Sequence, residues 1–422
     1  MVRQMISRMI TRRGLLETTG TSAVLAGVSY AFSQSHGNET DAPAGLDLSP
    51  QLPDGTRAEA ALEALPGKRP LIKLSYRPPN YETPVEHLHT PITPNDVFFV
   101  RYHLSDIPEV DPGTWRLVIG GEGAEREVSF SLDDLKKLPA EQVVAVCQCS
   151  GNRRGLFEPH VPGVEWGYGA MGCARWRGAR LKDVLDKAGL KKEAMEIVLA
   201  GTDRGAVDKT PQFVKSIPVW KAIEETALVA YEMNGEPLPH WNGFPARIIL
   251  PGWTGTYWMK HITSISVVTK PFDGFWMKSA YRIPLGKFPV VARFASQETA
   301  VNTPITEMVV NSLITSHGDG AKVKAGSRAT IGGIAWDAGY GISSVEVSTD
   351  GGNRWAAATL GPDLGRFALR SFSHAVTVPQ KGSVKVMARA SSKIGQTQAT
   401  TLIPNPAGYH HNVIQTLTLN AG

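Results

Sequence analysis

The chain has 422 residues, more than one hydrophobic core usually serves, and a composition with no disordered or collagen-like bias, so two domains are expected. Its formal charge is +5, but residues 1–33 hold Arg3, Arg8, Arg12 and Arg13 against Glu17, which leaves the remainder at +2. So small an excess gives no reason to invoke nucleic acid as a partner.

Residues 1–33 read as an export signal. Thr11-Arg12-Arg13-Gly14-Leu15-Leu16 is a twin-arginine pattern, a mildly apolar stretch runs from Leu15 to Tyr30, and Ala31-Phe32-Ser33 offers a small-x-small cleavage site. Thr18, Thr19, Gly20, Thr21 and Ser22 make that stretch too polar for a stable membrane span. The expected location is the periplasm. Residues 34–80, rich in Pro, Gly and acidic residues, read as an extended surface arm, with Leu62-Glu63-Ala64-Leu65-Pro66 as the only helical hint.

Residues 81–295 alternate strand-like runs, such as Phe98-Phe99-Val100-Arg101 and Arg247-Ile248-Ile249-Leu250, with short helical patterns. One helix is expected over Leu181–Ala188, with apolar residues at helical spacing and Gly189 as its stop. The mixture argues for an α+β domain. Residues 296–422 change texture. Val323–Ile334, Ser344–Thr349, Trp355–Leu360, Phe367–Phe372, Ala375–Val378 and Val384–Ala390 read as short strands, and Asp350-Gly351-Gly352-Asn353 as a hairpin turn. Such regular spacing suggests an all-β, immunoglobulin-like sandwich used for packing or dimerisation.

Only three cysteines occur, Cys147, Cys149 and Cys173, too few and of the wrong parity for a disulfide scaffold. No Cys-x-x-Cys-His is present, so no covalently bound haem is expected. The informative run is Cys147-Gln148-Cys149-Ser150-Gly151-Asn152-Arg153-Arg154-Gly155, where an apolar strand opens into a turn carrying a thiol five residues before an arginine. Cys149 there can be a buried structural thiol, a nucleophile with lowered pKa, or a soft metal ligand, and with Cys147 it makes a Cys-x-Cys pair without zinc spacing.

Several motifs in order resemble the sulfite oxidase family of molybdenum enzymes, above all the bacterial periplasmic sulfite dehydrogenases. They are Phe98 to Leu104, Gln148 to Arg154, Ala174 to Gly178, Tyr231 to Pro239, Gly243 to Arg247 and Gly274 to Pro284. The resemblance spans about Asn95 to Gln415 and implies a molybdopterin-binding catalytic domain followed by the sandwich. It makes Cys149 the protein ligand of molybdenum in a single molybdopterin per chain, leaving Cys147 structural. It implies that Phe99, Arg101, His103, Asp203, Asn242, Arg247, Trp258 and Lys260 bind the cofactor. It places Arg101, Arg154, Trp166 and Tyr281 around the substrate, where two guanidinium forks suit a small sulfur oxyanion.

The family's sandwich domain also sends an arginine to this pocket. In the loop Asn405-Pro406-Ala407-Gly408-Tyr409-His410-His411-Asn412 that place is assigned to His411, with the expectation that anion affinity rises as pH falls through its pKa. The activity implied is oxidation of sulfite to sulfate by oxygen-atom transfer, with electrons passing to a separate c-type cytochrome, in a homodimer or a heterodimer with a haem subunit. The alternatives are a sulfane dehydrogenase acting on carrier-bound sulfur, which His411 in place of arginine would suit, and a non-enzymatic assembly or binding protein.

Overall fold

A computed structural model describes residues 46–47, 59–284, 297 and 302–422. The export signal, about half of the arm and the segment joining the two domains apart from residue 297 lie outside the described residues. The described end of the arm is part of the catalytic unit. Leu62–Glu63 pairs with Leu71–Ser75, which pairs with Asn80–Glu82, which pairs with Val100–Arg101. The helical hint at Leu62 is therefore a strand: Pro66 and Gly67 follow too soon for a helix, and Leu65, Leu71, Tyr81 and Val100 bury a small core instead.

The catalytic domain has two further sheets. One joins Ala140–Gln148, Met171–Arg180, Leu228–Met233 and Arg247–Ile249, all antiparallel to their neighbours. The other runs Val214–Pro218, Glu196–Gly201, Ile262–Val268, Leu117–Gly120 and Val128–Phe130, with one parallel pairing. The expected helix Leu181–Ala188 is present, buries Leu181, Val184, Leu185 and Ala188, and stops at Gly189 with φ 72°. A second helix, Leu132–Lys137, opens on a Ser131–Asp134 capping box. This is the α+β arrangement expected, with strands dominant.

The second domain has two facing sheets. One orders Asn311–Ile314, Arg328–Trp336, Arg370–Thr377 and Thr359–Leu360; the other orders Lys322–Val323, Gln415–Ala421, Ser383–Ser392, Ile342–Ser348 and Ala356–Ala357. Their inner residues, among them Ile331, Val345, Phe372, Val386 and Leu419, form one core. The two strands expected over Phe367–Phe372 and Ala375–Val378 are one continuous strand, because Arg328–Trp336 pairs with it along its whole length. Asn311–Ile314 and Gln415–Ala421 were not foreseen. The hairpin turn is present, with Gly351 and Gly352 at φ 75° and 91°.

The two domains share a core. Val146, Met171 and Cys173 pack with Met308, Leu313, Ile334, Trp336 and Leu369 across the junction. Trp336 donates its indole N–H to Gln148 Oε1 at 2.5 Å, one residue before Cys149. The second domain is thus built against the end of the strand that presents the thiol.

Candidate active site

Cys149 emerges where Ala140–Gln148 ends, and its N–H donates to Ala170 O at 2.9 Å. Asn152 closes the turn: its N–H donates to Cys149 O at 3.0 Å while its Oδ1 accepts from Ala170 N–H at 3.0 Å. Arg153 follows with φ 67°, a costly conformation for a side chain of this size. Its guanidinium, fully buried, donates to Asn311 Oδ1 and Ser312 O of the second domain, each at 2.6 Å, and lies over the rings of Tyr168 and Trp336. Burial brings its pKa down to about 10, so it stays charged.

Arg154 turns the other way. Its Nε donates to Ala407 O at 2.8 Å and its Nη1 to Val164 O at 3.0 Å. Two glycines make room for it. A Cβ on Gly151 would stand 2.4 Å from its Nη2, and one on Gly163 would stand 2.9 Å from its Nη1. The loop carrying Gly163 is anchored in turn by Glu82, whose carboxylate accepts from Gly167 N–H at 2.7 Å and Gly169 N–H at 2.9 Å.

Two cavities meet at the thiol. The inner one spans about 650 Å³ of space between atoms, its open mouth included, and Phe99, Arg101, His103, Cys149, Asp203, Asn242, Arg247, Trp258, Lys260 and Tyr281 all line it. Every residue expected to bind the cofactor therefore faces one space. The outer one, about 1530 Å³ including its open mouth, has Arg77, Arg154, Val164, Trp276, Ala407 and Tyr409 in its walls. Four residues line both: Arg101, His103, Cys149 and Tyr281.

At this shared wall the Tyr281 hydroxyl sits between two partners. Arg101 Nη2 donates to it at 3.4 Å, and it makes a short hydrogen bond with His103 Nε2. Burial, reinforced by Arg101 and Lys260, holds His103 well below the ordinary imidazole range. A neutral His103 with its proton on Nδ1 accepts a hydrogen bond from the phenol at Nε2. Burial raises the Tyr281 phenol against the pull of Arg101. Tyr281 itself has φ 59° and faces Tyr409 of the second domain in a stack of 5.5 Å.

The inner cavity suits a large polar guest with negative charge. Arg101 Nε, Arg247 Nε, Ser150 Oγ and Thr256 Oγ1 are buried there with no partner in the protein. Arg247 otherwise donates to Asn242 O and Trp258 O, at 2.9 and 3.1 Å. Burial lowers Lys260 to about 7, Arg247 adds to the shift, and Asp203 opposes it. An anion placed beside Lys260 would restore its charge. Among the described residues no group of three or more His, Cys, Asp or Glu could hold a metal ion, so a metal at Cys149 must bring most of its ligands with it. Molybdopterin, with its dithiolene, ring system and phosphate, fits this donor set.

Two expected site residues stand elsewhere. Trp166 is wholly buried in the main core and lines neither cavity; its neighbours Gly163 and Val164 form the wall instead. His411 packs edge-on against Phe157 at 5.5 Å, behind Arg153, and also lines neither cavity. Burial, reinforced by Arg153, depresses its pKa to about 3, so it is neutral at working pH and supplies no cation to an oxyanion. Asn242 is also partly committed: its Oδ1 accepts from buried Lys68 at 2.6 Å and its amide donates to Phe99 O at 3.3 Å. Sequence reasoning missed Tyr409, Ser150, Thr256 and Lys215. Lys215 is buried beneath Tyr281, with Nζ 5.1 Å from the ring centroid and donating to Trp276 O at 2.6 Å.

Residues 103–276 match the family model for the oxidoreductase molybdopterin binding domain, and residues 302–420 that for the Mo-co oxidoreductase dimerisation domain. Sulfite oxidase of Arabidopsis thaliana is 32% identical over 326 residues, covering 74% of this chain and 81% of that protein. The chain belongs to the sulfite oxidase family. The Gallus gallus sulfite oxidase is 35% identical over 325 residues, 74% of this chain and 68% of its own. Mitochondrial sulfite oxidase of Rattus norvegicus is 38% identical over 304 residues, 70% of this chain but 54% of that protein, so the chain spans about half the length of that relative. Among solved structures, the sulfane dehydrogenase SoxCD of Paracoccus pantotrophus superposes with a TM-score of 0.70 at 25% identity, over 82% of this chain and 88% of that one. A sulfite oxidase family member of this architecture thus keeps the molybdopterin domain and the dimerisation domain in one compact unit.

Proposed function

We propose that this protein oxidises sulfite to sulfate at a molybdenum–molybdopterin cofactor anchored by Cys149. In this reading it works in the periplasm after twin-arginine export and passes its electrons to a separate c-type cytochrome. The observation that carries the reading is the wall shared by the two cavities, where one thiol, one guanidinium, one imidazole and one phenol face both cofactor space and substrate space.

When bound, the cofactor supplies oxygen-atom transfer to sulfur and accepts two electrons. The protein supplies position and charge. Arg101 and Arg154 bring permanent cations to the outer cavity, and a pyramidal oxyanion engaging both would point its sulfur lone pair at the Cys149 side. Trp276 and Tyr409 narrow the space and exclude water. Tyr281 keeps its proton between Arg101 and His103, because burial raises the phenol and depresses the imidazole, so the pair presents a fixed hydrogen-bonding group at the wall the two cavities share.

The sulfane reading also has support. The outer cavity offers about 720 Å³, the scale of a drug-sized ligand rather than of a small oxyanion, and its second-domain wall of Pro406, Ala407 and Tyr409 adds no charge. Similarity to a sulfane dehydrogenase points the same way. A homodimer, or a heterodimer with a haem subunit, would use the second domain, whose family is described by dimerisation.

Sulfite-dependent reduction of cytochrome c by wild type and Cys149→Ser, with molybdenum determined in both, tests the reading. Wild type is expected to carry stoichiometric metal and turn over sulfite; the serine variant is expected to lose at least about 10³-fold in rate, the scale on which a group acting at the reacting centre is felt. Equal activity in the two would remove Cys149 as the ligand. Metal-replete wild type inert to sulfite would transfer the substrate to carrier-bound sulfur, and metal-free protein would favour a non-enzymatic role.

A further inference from the structure

The second domain places one side chain between the two groups that the proposed chemistry uses most. Tyr409 is 5% exposed, lies within the outer cavity wall, and stacks on Tyr281 with ring centroids 5.5 Å apart and an interplanar angle of 16°. The Arg154 guanidinium carbon lies 5.3 Å from the centroid of the same Tyr409 ring. Arg154, Tyr409 and Tyr281 therefore form a continuous series of contacts from the anion-binding cation to the phenol beside Cys149. A guanidinium near an aromatic face and two near-parallel rings are each attractive, and neither needs the hydroxyl of Tyr409.

The ring is held before any ligand arrives. Asn405 clamps the main chain of Tyr409 from both sides: its amide donates to Tyr409 O at 2.7 Å, and its Oδ1 accepts from Tyr409 N–H at 3.0 Å. Gly408 and His410 flank it with φ 60° and 56°, so the chain turns sharply on either side of the tyrosine. Arg154 is fixed on the same loop through Ala407 O. Arg101 is tied to Tyr281 from the other direction.

We propose that Tyr409 is a positioning residue, supplied by the second domain, whose ring sets the spacing between Arg154 and Tyr281 and thereby the affinity of the site for a tetrahedral or pyramidal oxyanion. The inference rests on the anion-binding role of Arg154 in the reading above, and it gives the second domain's contribution to an aromatic ring rather than to a cation. Loss of the ring removes the aromatic face beside Arg154, leaving that guanidinium held by Ala407 O and Val164 O alone, and removes the stacking partner that fixes the tilt of Tyr281. Loss of the hydroxyl alone changes neither.

The test uses purified, cofactor-loaded wild type, Tyr409→Phe and Tyr409→Leu. Sulfate, the tetrahedral dianion, is titrated into each by calorimetry, and sulfite turnover is measured in parallel. Tyr409→Leu is expected to bind sulfate about tenfold more weakly, the scale of a lost cation–π contact in a desolvated site, and to raise KM for sulfite together with lowering kcat. Tyr409→Phe is expected to match wild type in both, a rescue that general disruption of the loop would not give. Equal sulfate affinity in wild type and Tyr409→Leu would overturn the inference, as would a Tyr409→Phe variant as weak as Tyr409→Leu. Should Tyr409→Leu fail to fold, Tyr409→His and Tyr409→Phe are compared instead, with the smaller ring expected to fall between phenylalanine and no binding; equal affinity of the two rules the ring geometry out. Wild type that binds sulfate but does not oxidise sulfite would remove the sulfite reading while leaving this inference in place.

Discussion

At the scale of single residues, the site depends on side chains that have no slack around them. Gly151 is the sharpest case. A methyl group added there meets the far end of Arg154 rather than main chain, so the guanidinium can move aside and the fold survives. Gly151→Ala is therefore expected to change the unfolding free energy by less than about 1 kcal/mol while weakening sulfate or sulfite binding about tenfold. Denaturant unfolding and anion titration on the same preparation check both halves. The positions that line the inner cavity came from the family resemblance: Phe99, Arg101, His103 and Arg247 lie inside its motifs, where strand ends fix their spacing, whereas Asp203, Asn242, Trp258 and Lys260 lie outside them. Tyr409 was not legible. The right loop was identified by the resemblance, which assigned the arginine's place to His411; positive φ at His410 turns the chain between the two residues, so Tyr409 reaches the outer cavity while His411 packs on Phe157. Trp166 failed for a related reason: its neighbours Gly163 and Val164 take the cavity wall while it turns into the core.

At the scale of elements, the turn after Ala140–Gln148 is held in three directions at once. Ala170 fixes Cys149, Ala407 fixes Arg154, and Asn311 with Ser312 fixes Arg153. Arg153 is the most exposed to substitution in energetic terms, since it is a buried cation matched by neutral oxygens and two aromatic faces rather than by a carboxylate. Lysine cannot reproduce the fork that reaches Asn311 and Ser312 together. Arg153→Lys is expected to cost about 2–4 kcal/mol of stability and to loosen the loop that carries the thiol. The check is denaturant unfolding of the holoprotein combined with its molybdenum retention on dialysis. Full stability with full retention would mean that the second domain does not brace this turn. Nothing in the sequence singled out Arg153 over Arg154, because adjacent arginines look alike until the left-handed backbone at Arg153 sends their side chains to different domains. Strands in the second domain were legible as alternating runs, whereas Asn311–Ile314 is buried at every position and offers no alternation to read.

For the whole molecule, burial opposes protonation at several histidines besides His103, and three of them lie away from the shared cavity wall. His261 and His411 are depressed to about 3 and His410 to about 4, desolvation being the first cause in each. In the unfolded chain each would titrate near 6.5. The unfolded state therefore binds more protons between about pH 6.5 and 3. The stability these groups contribute is fully present above 6.5 and is lost as pH falls through that window, at roughly 1.4 kcal/mol per pH unit for each proton taken up. Acid should thus weaken the whole fold, with one proton of the uptake belonging to a histidine that sits beside the domain junction. Unfolding free energies of His411→Leu measured from pH 7 to 4 are expected to fall less steeply than those of wild type by about one proton. The apolar side chain suits the contact with Phe157, and the main-chain bond from Asn311 to residue 411 is untouched by the change. The same variant is expected to keep the wild-type KM for sulfite across this range, because His411 faces neither cavity. An unchanged slope would mean that His411 is already solvated in the folded protein. A pH-dependent KM that disappears in His411→Leu would instead return this residue to the substrate pocket, at the expense of Tyr409 as the second domain's contribution to the site.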